Sequence, residues 1–149
     1  MESVVPWNAG VRIEAPCADI SFARPSWREL RVVMHFSLVK GGMPNDLEIL
    51  LSDPVAMHWW EEAAHSVSVS WPKPLPVFSA DPWKGWTYSL LQFPRSSWIT
   101  QFEGLPYVEG RQHLAFVAMN DVIEVIAKTA ASVRWISSER VEKSVVPAA

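Results

Sequence analysis

His58, Glu61, Glu62 and His65 are side chains that bind metals and move protons, and their spacing would place all four on one side of a helix. Glu62-Ala-Ala-His65 matches the Glu-x-x-His unit of di-iron carboxylate bundles, but those sites need a second such unit and the chain has none. His58, Glu62 and His65 alone would suit a single zinc or nickel ion. Polar residues on the outer side of an amphipathic helix need no metal to explain them, so the expectation is a solvated face with no metal and no other cofactor. A small metal- or histidine-dependent enzyme using His58, Glu62 and His65 is the alternative that bound metal would favour.

The remaining nucleophile and base candidates are few. Cys17 lies in Ala15-Pro16-Cys17-Ala18-Asp19 with no basic neighbour in sequence to activate it, so a buried thiol is expected. A single cysteine cannot form an internal disulfide and fits a reducing compartment. His35 and His113 sit among apolar residues and read as half-buried, hydrogen-bonded histidines rather than general bases. There is no Gly-rich phosphate loop, Gly-x-Ser-x-Gly elbow, His-Glu-x-x-His helix or CxxC pair. These readings favour binding over catalysis.

Tryptophan and charge point the same way. The chain of 149 residues has nine Trp, of which Trp59, Trp60, Trp71, Trp83 and Trp86 fall in one stretch interleaved with Pro72, Pro74, Pro76 and Pro82. Trp60 and Trp71 fit a core. Trp83 and Trp86 lie in a turn-rich loop with Asp81 and Lys84, and Trp59 borders the acidic side of its element. Exposed Trp is the residue type most enriched in binding hot spots, and it also stacks on sugars. A small-ligand or carbohydrate binder using this Trp-Pro loop is therefore a further alternative. From Gly41 to Pro72 the chain has no Lys or Arg but carries Asp46, Glu48, Asp53, Glu61 and Glu62, an acidic stretch that would steer a basic partner. The net charge of -3 and pI near 5.8 argue against broad nucleic-acid binding.

Positioning these residues requires a mixed set of elements. Strands are expected over 11–14, 20–22, 31–39, 47–51, 66–71, 87–93, 112–118 and 133–136, from alternating or β-branched apolar residues. Gly41-Gly42 and Met43-Pro44-Asn45-Asp46 read as a turn. Asp53-Pro54 reads as an N-cap with proline at the first helical position, opening a helix over 54–65. Asn120 would cap a second helix over 121–131, with Glu124 and Lys128 as a favourable i,i+4 pair. One or two helical turns are expected over 95–102. The fold class that follows is α+β, a largely antiparallel sheet with two main helices at 54–65 and 121–131. Residues 1–137 read as one domain and 138–149 as a flexible tail. Residues 1–10 lack a signal-peptide pattern, and no apolar run approaches the length of a membrane helix, so a cytoplasmic protein without a membrane partner is expected.

Trp86-Thr-Tyr88, Phe93-Pro-Arg-Ser-Ser97-Trp98 with Phe102, His113, and Asn120-Asp121-Val-Ile-Glu124-Val125-Ile126 form an ordered series. Over residues 83–136 this series resembles small bacterial proteins found beside polymorphic and contact-dependent toxins, many of which act as immunity proteins. The resemblance implies a non-enzymatic module that binds and blocks a cognate toxin. A basic toxin domain would suit the acidic stretch. The expected protein-binding residues are Trp59, Trp83, Trp86, Asp81, Asp46, Glu48, Asp53, Glu61 and Glu62, with no catalytic residue among them.

Overall fold

Leu30, Val32, Met34 and Phe36 put an apolar side chain at every second position, which in a strand turns them all to one face. In the computed structural model of the chain that face lines the interior between two stacked sheets. The structure describes residues 2–36, 46–61, 71–102, 104, 109–128 and 130–137. Among them are β1 (Val5–Pro6), β2 (Asp19–Ser26), β3 (Glu29–His35), β4 (Asp46–Ser52), β5 (Ala56–Glu61), β6 (Leu90–Gln92), α1 (Ser97–Thr100), β7 (Gln112–Val117), β8 (Asp121–Ala127) and β9 (Ala130–Ile136). One sheet has the order β1-β6-β7-β8-β5 and the other β2-β3-β4-β9. Every named neighbouring pair is antiparallel.

A single bent ribbon joins the sheets. β4 pairs with β9 in one sheet, and their continuations β5 and β8 pair in the other. Asp46 faces Ile136 at one end and Glu61 faces Asp121 at the far end, with one irregularity at Leu50/Leu51. Strands that change sheets need a corner whose backbone groups stay hydrogen-bonded. Here the Lys128 N–H donates to the Ser52 carbonyl (2.9 Å) and the Val55 N–H to the Ile126 carbonyl (2.8 Å). Asp53 turns the corner at φ 47, in the left-handed region that Asp tolerates better than most residues. Its N–H donates to the Arg28 carbonyl, and its carboxylate meets Lys128 Nζ at 3.3 Å. On the opposite side, Cys17 and Ala118 form a parallel bridge between the segments leading into β2 and β8.

The inner faces meet in a core that includes Trp7, Ile20, Met34, Phe36, Ile49, Leu114, Phe116 and Ile123. A second cluster of Val4, Trp71, Leu91, Phe93, Ala115 and Val122 covers the outer face of the β6-β7-β8 region. That sheet is therefore packed on both sides, and all seven residues of β8 are buried.

Both expected main helices are overturned. Residues 56–61 of the 54–65 helix form β5, and residues 62–65 lie outside the described residues. The 121–131 helix is β8 followed by the start of β9. The fold is two antiparallel sheets with one short helix among the described residues, not α+β with two main helices. In β8, burial on both faces removes the alternation that marks a half-exposed strand, and the β-branched run Val122, Ile123, Val125 and Ile126 was the better guide. Asp53-Pro54 copies a helix start because a sheet corner also favours a turn residue followed by a proline that needs no donor. The expected strand at 11–14 is irregular backbone, and the one at 87–93 shrinks to β6. The strands expected within 20–22, 31–39, 47–51, 112–118 and 133–136 fall on β2, β3, β4, β7 and β9. The Gly41-Gly42 turn and residues 66–70 lie outside the described residues.

The corner yields a test. Asp53→Gly loses a half-exposed ion pair but relieves the left-handed backbone, so its stability should stay within about 1 kcal/mol of the parent. Asp53→Val places a β-branched residue there and should cost about 2 kcal/mol or more. Urea unfolding of both variants checks this; equal losses would contradict the corner assignment.

Candidate functional site

Asp46, Glu48 and Asp53 of the acidic stretch are each engaged by a partner within the fold. Alternation along β4 turns Leu47, Ile49 and Leu51 into the core and Asp46 and Glu48 to the outer face of their sheet. Asp46 is buried against His35, its cross-strand partner, with Oδ1 and Nδ1 2.5 Å apart. Glu48 accepts from Arg31 Nε and Arg134 Nε, each at 2.8 Å. Those hydrogen bonds, the Arg134 one first and then the Arg31 one, hold the Glu48 carboxyl below its ordinary range. Asp53 is the corner residue paired with Lys128. Glu61 ends β5, and Glu62 and His65 lie outside the described residues. Asp46, Glu48 and Asp53 do not form a shared acidic recognition face. The helical spacing that linked His58 with Glu62 and His65 is absent as well, because His58 is on a strand.

Of the tryptophans placed from sequence, Trp71 and Trp60 pack in a core cluster and Trp86 is exposed, as expected, whereas Trp83 is drawn onto the main core. Trp7 and Trp71 are core, and Trp60, Trp83, Trp98 and Trp135 are partly buried. Trp83 packs on the main core and meets Trp86 edge-on at 5.5 Å. With Asp81, Pro82, Phe78, Arg12 and Glu14 it also lines a groove of about 660 Å³. Trp86 is 45% exposed. Cys17 is fully buried, with its thiol donating to the Asp19 carbonyl at 3.1 Å. Burial, then the nearby Asp19 and Asp121 carboxylates, push that thiol well above its usual range, which makes it unreactive.

Trp59 belongs to a ridge that sequence reasoning did not assemble. Along β5, Met57 and Trp59 face the same side as Val125 and Ile123, their partners on β8. Among the described residues β5 is the last strand of its sheet and β2 the first of the other, so these side chains lie at the margin of the sandwich. Trp59 meets Phe22 of β2 edge-on at 5.7 Å, and Phe22, Met57 and Trp59 are all exposed. The two edges differ in protection. β2 carries Pro25 and a register shift between Ala23 and Ser26, both devices that discourage further pairing. β5 has no Pro, no Lys and no bulge, and its register is regular throughout. Phe22 carried no signal because its neighbour in space is 37 positions away.

The opposite face of β5 borders a polar cluster. His58 lies directly across from Glu124 in the β5–β8 register. Glu124, buried within the apolar run of β8, accepts from His113 Nε2 at 2.9 Å. His113 Nδ1 lies 2.7 Å from Ser96 Oγ, which also accepts the Ile99 N–H as the N-cap of α1. Both ring nitrogens of His113 are thus engaged, Nδ1 by the Ser96 hydroxyl and Nε2 by Glu124. Phe93 stacks on His113 at 4.0 Å, and Trp98 stacks on His58 at 4.4 Å. Ser96, His113 and Glu124 are the residue types of a hydrolytic triad. Ser96, however, is buried as a helix cap, and the adjacent cavity is lined by Ser97 and not by Ser96. The chain therefore works as a packed polar network that fixes α1 on the sheet. Glu124 was misread because its i,i+4 relation to Lys128 mimics a helix pair; Lys128 instead reaches Asp53. The better signal was a lone charge inside a β-branched run.

Comparison with protein-family models, with curated proteins and with solved structures finds no match. No described helix is long and apolar enough to cross a membrane.

Glu48 gives a pH prediction. A carboxyl lowered in the folded state stabilises fully above its unfolded value near pH 4.3, and that stabilisation is lost as pH falls through the folded value. Glu48→Gln should cost about 1–3 kcal/mol at neutral pH, toward the lower end because the Arg134 side chain is 66% exposed. Urea unfolding at pH 7 and near pH 3 should show the gap between wild type and variant closing in acid. A gap independent of pH would contradict the assignment.

Proposed function

We propose that the chain is a non-enzymatic protein-binding module of the immunity type, acting in the bacterial cytoplasm and docking its partner along β5 and the Phe22/Met57/Trp59 ridge. The observation that carries this reading is a strand that, among the described residues, forms a sheet edge without Pro, Lys or bulge and is flanked by exposed Met and Trp. An extended segment of a partner can add main-chain hydrogen bonds to such an edge while its side chains meet the apolar ridge. Trp59 has the character of a hot spot, a large amphipathic ring at the centre of an apolar patch. The resemblance carried by the 83–136 series supplies the class of partner, a cognate toxin. Charge steering is not part of the proposal, since Asp46, Glu48 and Asp53 are engaged internally. Recognition then rests on edge pairing and apolar contact.

Affinity capture at native expression tests this with wild type and a Phe22→Ser/Trp59→Ala variant. A single stoichiometric partner should be retained by the wild type and bound about 30-fold more weakly by the variant, the equivalent of losing roughly 2 kcal/mol at a hot spot. The variant should unfold within about 1 kcal/mol of wild type, as surface substitutions do. Recovery of the wild type alone, or equal capture by both, would overturn the reading.

A further inference from the structure

A cavity of about 260 Å³ lies over the outer face of β5, β8 and β7, on the other side of β5 from the ridge. Its aromatic walls are Trp60, Trp71, Phe93 and Trp98, and its carboxylates are Glu124 and Glu2. We propose that this cavity binds a small organic monocation of the quaternary or methylated ammonium class.

Charge balance is the first argument. Glu124 is 7% exposed, and its partner in the described structure is the single N–H of His113 on Oε1. Its other ring nitrogen, Nδ1, is held by the Ser96 hydroxyl, so His113 offers Glu124 a single N–H. One donor leaves the rest of a buried carboxylate without a hydrogen-bond partner, and such a group gains from a cation placed beside it. Among the described lining residues there is no Lys or Arg. Glu2 adds negative charge at the rim, where its Oε1 accepts from the backbone and hydroxyl of Ser97.

The walls select the kind of cation. Aromatic faces attract positive charge through their quadrupole, and indole does so best. A methylated ammonium spreads its charge over weakly hydrated methyl groups, so it enters an aromatic box at less cost than a primary ammonium with three hydrogen bonds to replace. A metal ion fits poorly: no group of three His, Cys, Asp or Glu among the described residues converges as a ligand set, and both His113 nitrogens are engaged. The walls are held in place, since Trp71 packs edge-on to Phe93 at 5.4 Å and Trp98 is stacked on His58.

Choline and its uncharged carbon analogue 3,3-dimethyl-1-butanol are the probes, titrated into the full chain at constant ionic strength and followed by Trp fluorescence and calorimetry. Choline should bind saturably and raise the melting temperature, with the neutral analogue weaker by roughly tenfold or more. Glu124→Gln should weaken choline by a similar factor. Trp98→Leu, which removes none of the hydrogen-bonding groups of Ser96, His113 and Glu124, gives the same readout if Glu124→Gln does not fold. No saturable choline binding, equal binding of the two probes, or unchanged affinity in a folded variant would overturn the proposal. None of these outcomes depends on whether β5 pairs with a protein.

Discussion

The pairing of β4–β5 with β9–β8 across one corner is the constraint from which the other features follow. It forces two sheets to share a core, and it leaves β5 at the margin of one sheet beside β2 at the margin of the other. It also decides which residues meet. Trp59 reaches Phe22 because the bend returns the chain over the first sheet, and His58 lies across from Glu124 because the register survives the bend. Asp53 and Lys128 are small contributors in energy, but they sit where both chains of the ribbon turn. An error there would displace β5 and β8 together.

The sheet built around β8 is unusual in its double cover. One face closes the main core, and the other holds Trp71, Phe93, α1 and the His113–Glu124 pair. A polar network in that position is expensive unless each hydrogen bond is made, and Ser96, His113 and the Ile99 N–H complete theirs. Glu124 is the exception, with one described donor for its two carboxylate oxygens. Structure and chemistry therefore converge on the same side chain, which anchors α1 from one oxygen and faces an aromatic cavity.

The legible strands were those rich in β-branched and aromatic residues with no competing helical spacing. β3, β4, β7 and β9 were recognisable on that ground, although β4 and β7 each bury four residues in a row. β8 was not, because seven buried residues in a row carry no period of two, and Glu124 with Lys128 supplied a false helical one. β5 failed for a local reason, since Asp53-Pro54 suits a corner as well as a helix start. The site was less legible still. Clustering of carboxylates in sequence says nothing about their partners, and Arg31, Arg134, Lys128 and His35 come from β3, β9 and the corner to engage three of them. Tryptophan abundance pointed to recognition, but only the strand order shows that Trp59 stands at an open edge.

Hydrogen–deuterium exchange on the chain with and without its captured partner tests the central claim most directly, because it reads backbone protection residue by residue. Edge pairing at β5 predicts slowed exchange over Ala56–Glu61, with smaller protection near Phe22 and none in the loop carrying Trp83 and Trp86. Protection confined to that loop, with β5 exchanging as fast in the complex as alone, would contradict the account.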